Sequence, residues 1–224
     1  MTASPSGRAS ARARARSRAR ARAAAAVLGL VACAPAARPL DGRVAPVSAI
    51  PATAALRVPT QVGFRWEFRE EQLTIRGEGA ARLAPPDSAR LDLFLDGGFG
   101  SGNAFVIGDT VQARIPMGDR LIPPAALFWG AVGRLAVPPG DTIVRVVADT
   151  LRTDIAGTRG IFRASFVRDS LVQLERIVDG RVLERVDRVG DVVRYRQLAS
   201  RRSLDLTILR RAAVPPFDAA IWPR

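Results

Sequence analysis

Apolar and polar residues alternate along much of the chain from residue 62 onward, a period typical of strands with one buried face. In the clearest run Val62, Phe64, Trp66 and Phe68 alternate with glycine and charged side chains. Similar runs predict further strands, which we place at residues 72–83, 89–96, 103–107, 110–115, 142–148, 160–167, 171–178, 181–189, 192–198 and 203–210. We therefore expect a mainly β domain built on a large antiparallel sheet.

Short turn sequences connect the predicted strands. They are Gly108-Asp109, Arg168-Asp169, Asp179-Gly180 and Gly190-Asp191, and their chemistry is typical of tight hairpins. Gly77 and Gly79 interrupt the run at 72–83, which predicts a bend or bulge in a curved sheet.

One segment departs from the alternation. Residues 121–133 are apolar almost throughout, with Pro123 near the start and Gly133 at the end, the usual asymmetry of a short helix. A helix that is apolar all round must be covered on most sides. We expect a helix over residues 123–132, and a sheet this large with one apolar face can be covered by a single helix only if it curls around that helix.

The N-terminus has the pattern of a secretory signal. Residues 1–22 contain seven arginines and no acidic residue, and residues 23–32 are uncharged and mostly Ala, Val and Leu. This apolar stretch is shorter than the ~20 residues needed to span a bilayer. The arginine run can also be interpreted as a nucleic-acid-binding arm, and the true start can lie nearer Arg18. The apolar stretch that follows directly favours a signal, so we expect no nucleic-acid partner.

The sequence Leu30-Val31-Ala32-Cys33 resembles the lipobox of bacterial lipoproteins. The resemblance implies that residues 1–32 are a signal peptide and that Cys33 becomes the lipid-bearing first residue, which would attach the protein to a membrane. Residues 33–60 are rich in alanine and proline and predict a tether. Residues 61–224 then form the folded domain.

Composition narrows the range of functions. The chain has 34 basic and 21 acidic residues, a net charge of +13. Without the seven arginines of the predicted signal, 27 basic residues remain and the net charge falls to +6. The sequence contains no histidine or lysine and one cysteine, which excludes imidazole metal sites, Ser-His-Asp and Cys-His catalysis, lysine Schiff bases and disulfides. We expect no enzymatic activity, no metal and no cofactor.

The order of elements resembles the lipoprotein-localisation carrier and receptor superfamily (LolA/LolB-like). A Phe/Trp-rich strand at 62–68 is followed by a glycine-containing strand, by Pro-Pro-Asp-Ser-Ala-Arg-Leu-Asp-Leu at 85–93, by a proline-led apolar helix and by a long meander. The resemblance covers roughly residues 60–222. It implies an unclosed half-barrel, a curved antiparallel sheet of about eleven strands with short helices as a lid. In that superfamily the concave apolar face accepts the acyl chains of lipoproteins.

The resemblance also implies a location. The carrier of that superfamily is soluble and the receptor is lipid-anchored, so Cys33 favours the receptor-like branch. Ala34 follows Cys33, where Asp would imply retention at the inner membrane. We therefore expect a monomer anchored to the outer membrane and facing the periplasm, with acyl chains or lipoproteins as partners. The alternative is a structural lipoprotein that docks on an envelope complex without binding lipid.

Candidate site residues follow from the aromatic positions. Eight aromatic side chains on the predicted strands and helix are candidates to line an acyl-chain cavity: Phe64, Trp66, Phe94, Phe105, Phe128, Trp129, Phe162 and Phe166. The alternative is that they fill the core. Phe99 lies in the glycine run 97–102 and is a candidate for a membrane-touching loop, where the alternative is a flexible hairpin loop.

Overall fold

The structure is a computed structural model that describes residues 34–53, 56–98, 100–115 and 118–223. Several predicted features lie outside the described residues: the signal segment 1–32 with its lipobox Leu30, Val31 and Ala32, the lipidation site Cys33, and the loop residue Phe99.

A 13-stranded antiparallel sheet forms the domain, with the strand order β1-β7-β8-β9-β10-β11-β12-β13-β2-β3-β4-β5-β6. In the described part of the chain the end strands β1 and β6 do not pair, so the sheet is open. This confirms the mainly β, unclosed half-barrel with a short helix. The strands are β1 Arg43–Ala45, β2 Thr60–Glu70, β3 Leu73–Ala84, β4 Ser88–Leu95, β5 Ser101–Ile107, β6 Thr110–Arg114, β7 Asp141–Val147, β8 Thr150–Gly157, β9 Gly160–Val167, β10 Ser170–Val178, β11 Arg181–Val189, β12 Val192–Gln197 and β13 Arg202–Ala213.

Two helices interrupt the strands, α1 at Gly118–Leu121 and α2 at Ala125–Val132. Single 3-10 turns occur at Val47–Ala49, Asp96–Gly98 and Ala219–Ile221. The predicted lid helix begins two residues later than expected, because Pro124 has an extended ψ of 146° and caps the helix from outside it. Gly133 ends the helix in the left-handed conformation, with φ 97°, as the sequence predicts.

Two strands of the sheet were not predicted from the sequence. Strand β8 presents Thr153 at the centre of its inward face, fully buried between Leu151 and Ile155, so the apolar period is broken there. Strand β1 is only three residues long and pairs with β7. It lies inside the segment expected to be a tether.

The described part of that segment lies along the sheet. Ala34 is 2% exposed, Ala36 bridges to Arg181, and the Arg163 guanidinium donates to the Arg38 carbonyl at 2.6 Å. Residues 34–45 therefore pack on the domain rather than extend from it, because the β7 edge and the buried Arg163 offer hydrogen bonds that a free linker would leave unmade.

The glycines of β3 have a different role from the one predicted. Strands β2 and β3 pair without a register shift, so Gly77 and Gly79 do not form a bulge. A Cβ at Gly79 would lie 2.5 Å from the Phe64 ring, and one at Gly77 would lie 2.8 Å from the Trp66 ring. The two glycines make room for aromatic rings that lie flat across β3.

Helix α2 lies against the concave side of the sheet. Leu127, Phe128 and Trp129 are buried, and the helix packs against β10, β11 and β12. On its other side the Trp129 indole donates to the Gly108 carbonyl in the β5–β6 turn at 2.7 Å, and the Arg134 guanidinium donates to the Pro86 carbonyl at 2.7 Å. The helix is therefore fastened to both flanks of the half-barrel.

Candidate functional site

An apolar cavity lies between α2 and five neighbouring strands of the sheet, β12, β13, β2, β3 and β4. Its unfilled space is about 830 Å³, a volume that includes the part open to solvent. Its wall is formed by Val62, Phe64, Trp66, Ala81, Leu83, Leu91, Leu93, Leu121, Ile122, Pro123, Phe128, Ala131, Val132, Val193, Tyr195, Leu204, Leu206, Ile208 and Arg211.

The polar atoms of the aromatic wall residues are bonded to protein. The Trp66 indole donates to the Glu78 carbonyl at 3.0 Å, and the Tyr195 hydroxyl donates to the Glu184 carboxylate at 2.6 Å. Buried aromatic side chains with satisfied polar handles present only carbon surface to their neighbours. The wall is therefore suited to a hydrocarbon rather than to a polar ligand.

A buried ionic group lies behind the wall residue Tyr195. Glu184 is 2% exposed and accepts from Arg176 at 2.7 Å as well as from Tyr195. Burial, together with the neighbouring Glu184 charge, raises the pKa of Tyr195 well above its usual range, so the hydroxyl stays protonated as a donor. The Glu184 carboxylate is therefore already bonded to Arg176 and Tyr195, and it presents no unpaired charge to the cavity.

A second cavity of mixed polarity adjoins this end. It shares Ile122, Pro123 and Tyr195 with the apolar cavity and is also lined by Glu184 and Arg202. Arg202 donates two hydrogen bonds to Glu70, at 2.6 and 3.0 Å. These bonds hold the pKa of Glu70 below its usual value, so the charges around this end are paired.

The structure brings three of the eight predicted aromatic residues to the cavity. Phe64 and Trp66 line it from β2, and Phe128 lines it from α2. Trp129 is directed to the other side of α2, where it bonds to Gly108. Phe162 and Phe166 belong to the buried core and are not among the lining residues of the cavity.

The remaining two aromatic residues lie away from the concave face. Phe94 is 51% exposed, because Leu91 and Leu93 occupy the inward positions of β4. Phe105 is buried between Arg90 and Arg114, whose guanidinium carbons lie 5.7 and 5.8 Å from its ring centre. The structure therefore does not place these two candidates at the cavity.

Most of the wall is aliphatic and was not selected from the sequence. Leu91 and Leu93 on β4, and Leu204 and Leu206 on β13, all line the cavity. The alternation of these strands identifies their inward face correctly. Choosing candidates by their aromatic rings leaves these leucines out, because an acyl chain requires apolar surface area and not an aromatic ring.

The fold is similar to that of a solved LolA superfamily protein and of a solved lipoprotein-sorting protein domain. A LolA superfamily protein from Nitrosomonas europaea matches with a TM-score of 0.50 and 11% sequence identity, over 75% of this chain and 91% of that chain. An outer membrane lipoprotein-sorting protein domain from Vibrio parahaemolyticus matches with a TM-score of 0.48 and 7% identity, over 73% and 88% of the two chains. No family model and no curated protein matches the sequence. The domain has a LolA-like fold.

Two features are absent from the residues that the structure describes. Within residues 34–53, 56–98, 100–115 and 118–223, no group of three or more His, Cys, Asp or Glu side chains could hold a metal ion. Over the same residues, no helix has the length and apolar character required to cross a membrane.

Proposed function

We propose that this protein is a lipid-anchored envelope lipoprotein whose half-barrel binds an acyl chain, including those of other lipoproteins during their localisation. The observation that carries the proposal is the cavity under α2, which is open to solvent and has a wall of carbon surface. A core without a ligand role would be filled by its own side chains. The LolA-like fold supports the proposal.

The energetics favour a chain-like ligand. Each methylene removed from water contributes about 0.8 kcal/mol, so ten buried methylenes contribute about 8 kcal/mol before the cost of immobilising the chain. No hydrogen bond to the chain is required. Binding would tolerate different acyl chains, as a carrier of several lipids or lipoproteins requires.

The anchor is the second part of the proposal. The lipobox Leu30-Val31-Ala32 with Cys33, and the basic segment before it, support lipid attachment. With Ala34 after the cysteine, we infer the outer membrane, with the domain facing the periplasm. Partners would be the membrane, through the N-terminal lipid, and acyl chains or lipoproteins, through the cavity.

A substitution that fills the cavity tests acyl-chain binding. Leu206→Trp places a large ring in the wall from β13, whereas Thr207→Trp places the same ring on the opposite face of that strand, where Thr207 is exposed. We expect Leu206→Trp to reduce the affinity for palmitate by at least about tenfold, or 1.4 kcal/mol, and Thr207→Trp to leave it unchanged. Displacement of the neutral dye Nile red from the purified full-length chain measures both.

Circular dichroism and urea unfolding of both variants establish that they remain folded. Equal palmitate affinity in the wild type and in a folded Leu206→Trp variant would refute binding in this cavity.

Docking without lipid binding is the second candidate function. The open edge β1 supports it, because Val44 is 65% exposed there and an unpaired strand can add a strand from a partner. Site-directed crosslinking from position 44 in intact cells distinguishes the two. A single crosslinked envelope protein, together with no lipid bound to the purified chain, would favour docking.

A further inference from the structure

Two arginines lie on the concave face at the end of the cavity away from Tyr195. Arg211 on β13 is opposite Val62, and Arg188 on β11 is opposite Val193. Both valines line the cavity, and residues directly opposite each other on neighbouring strands share a face of the sheet. The two guanidinium groups therefore belong to the cavity side of the sheet, and Arg211 is part of its wall.

A β-bulge determines which arginine of β13 faces inward. The pairing of β13 with β2 shifts between Ile208 and Arg210, and Leu209 is the extra residue, 52% exposed. Without the bulge, the inward position opposite Val62 would belong to Arg210. Bulges commonly redirect a side chain at the edge of a site, and this one directs Arg211 to the cavity.

Neither arginine is neutralised by a carboxylate. On strands β10 to β13, by contrast, Arg176, Arg185, Arg196 and Arg202 all pair with Asp or Glu. Among the residues that the structure describes, no acidic side chain pairs with Arg188 or Arg211. Arg188 and Arg211 therefore keep an uncompensated positive charge, and this end of the cavity is cationic.

Arg188 is held in place by backbone groups. Its Nη1 donates to the Leu171 carbonyl at 2.9 Å, while its buried Nε has no partner in the described structure. The guanidinium lies beside Gly133, where a Cβ would approach Nη1 to 2.5 Å. Burial, and then the nearby charge of Arg211, lower the pKa of Arg188. The charge of one guanidinium group is therefore felt by the other.

The length of the cavity suits an amphiphile. On β13 the wall runs from Leu204 to Arg211; because Leu209 is bulged out, this stretch spans six paired positions of β2, or about 20 Å. One leaflet of a bilayer's hydrocarbon core is about 15 Å thick. A single acyl chain can therefore lie along the wall with its head group at Arg211.

We propose that Arg188 and Arg211 bind the oxyanion head group, a carboxylate or a phosphate, of a lipid whose acyl chain occupies the apolar cavity. The inference rests on the proposed acyl-chain binding and adds the class and orientation of the ligand. Guanidinium groups suit oxyanions because their donors match two oxygens at once. The other end of the cavity, with the buried Glu184 already bonded, offers no equivalent cation.

Three ligands with the same chain test the inference: palmitate, palmitoyl-lysophosphatidic acid and monopalmitoylglycerol. Each displaces Nile red from the purified full-length chain, below its micelle concentration. We expect one or both anionic ligands to bind at least about tenfold more tightly than the neutral one, a difference of 1.4 kcal/mol. The preference between carboxylate and phosphate identifies the head group.

Charge-removing variants assign the effect to these residues. In the double variant Arg188→Gln/Arg211→Gln the anionic preference should disappear, so that palmitate and palmitoyl-lysophosphatidic acid bind no more tightly than monopalmitoylglycerol. Arg210→Gln, which removes the neighbouring charge on β13, should retain the preference. Equal affinities in the wild type, or a preference that survives the double variant, would overturn the inference and leave acyl-chain binding standing. Failure of all three ligands to bind would overturn both.

Discussion

Individual charged residues hold the N-terminal segment to the outer face of the sheet. Arg163 is 4% exposed, and it donates to both oxygens of Asp154, at 2.6 and 2.7 Å, and to the Arg38 carbonyl. Such charge-assisted bidentate bonds raise the pKa of Arg163 and are the strong kind. Glu175 is also buried, but its ion pair with Arg185 is long, at 4.0 Å. Burial raises the pKa of Glu175 above its ordinary value.

This difference gives a pH-dependent prediction. Because the folded-state pKa of Glu175 is above its unfolded value of 4.5, the folded state binds the proton more tightly and the wild type gains stability as the pH falls through the folded pKa. Glu175→Gln removes the penalty of ionisation. We expect the variant to have a higher free energy of unfolding than the wild type at pH 7, and the two to converge as the pH approaches 4.

Urea unfolding across this pH range measures the difference. Glu78→Gln is the control, because the Glu78 side chain is 58% exposed and surface ion pairs contribute little. A Glu175→Gln variant less stable than the wild type at pH 7 would contradict the raised pKa of Glu175 in the folded state.

At the residue scale the sequence predicts the inward face of a strand better than the role of each side chain. Alternation identifies Phe64 and Trp66 as inward, and both line the cavity. It cannot place Arg211, because the bulge at Leu209 shifts the alternation by one residue. A bulge is decided by the partner strand, which the local sequence does not contain.

Helix α2 is the element that forms the roof of the cavity. Its C-terminus depends on Gly133, which has φ 97° and whose N–H bonds to the Gly130 carbonyl. The same glycine leaves the space that the Arg188 guanidinium occupies. One residue therefore ends the helix and positions one of the two cations at the end of the cavity.

We expect Gly133→Ala to destabilise the protein by about 1–3 kcal/mol, since a side chain at this φ is strained and its Cβ would also displace Arg188. Gly190→Ala is a matched control, because its φ of 57° is also positive while nothing lies within 4 Å of its added Cβ. Urea unfolding compares the two. A loss for Gly133→Ala no larger than that for Gly190→Ala would show that contact with Arg188 is unimportant.

At the element scale the predicted strands with clear alternation are confirmed, often to the residue: Gly160–Val167 and Arg181–Val189 match their predicted limits. The tight turns are confirmed as well, with Asp179 and Gly180 at φ 49° and 70°. Strand β8 was missed because Thr153 stands where an apolar residue would mark the face. Strand β1 was missed because three residues carry too little pattern, and its pairing depends on the distant edge of β7.

For the whole molecule the fold sets Ala34 and the cationic end of the cavity apart. Ala34, the residue after the proposed lipid-bearing Cys33, accepts from Arg181 at the start of β11. Arg188 stands seven residues further along the same strand, about 23 Å away. If Cys33 carries the lipid, the anchored end and the cationic end of the cavity lie at opposite ends of β11.

Lipid attachment predicts a specific fractionation result. Cys33→Ala removes the only cysteine of the chain, so the variant should move from the membrane fraction to the soluble fraction after cell disruption. Its circular dichroism and its Nile red binding should equal those of the wild type, because none of the wall residues is altered. A variant that stays in the membrane fraction would contradict the lipoprotein assignment.

On this scale the sequence predicts the curved sheet and its covering helix from physical requirements alone, since an apolar sheet face needs cover. It does not predict that space remains beneath the helix. Whether apolar side chains fill the interior depends on their packing in three dimensions, in which Gly77 and Gly79 on β3 admit the rings of Trp66 and Phe64.

Native mass spectrometry of the full-length Cys33→Ala chain, incubated with lipid vesicles and separated from them, tests acyl-chain binding most directly. We expect a non-covalent adduct with the mass of one lipid in the wild-type cavity. The adduct should be absent in a folded variant that also carries Leu206→Trp and present in one that carries Thr207→Trp. A wild-type cavity that stays empty, or an adduct that Leu206→Trp does not reduce, would contradict the proposed function.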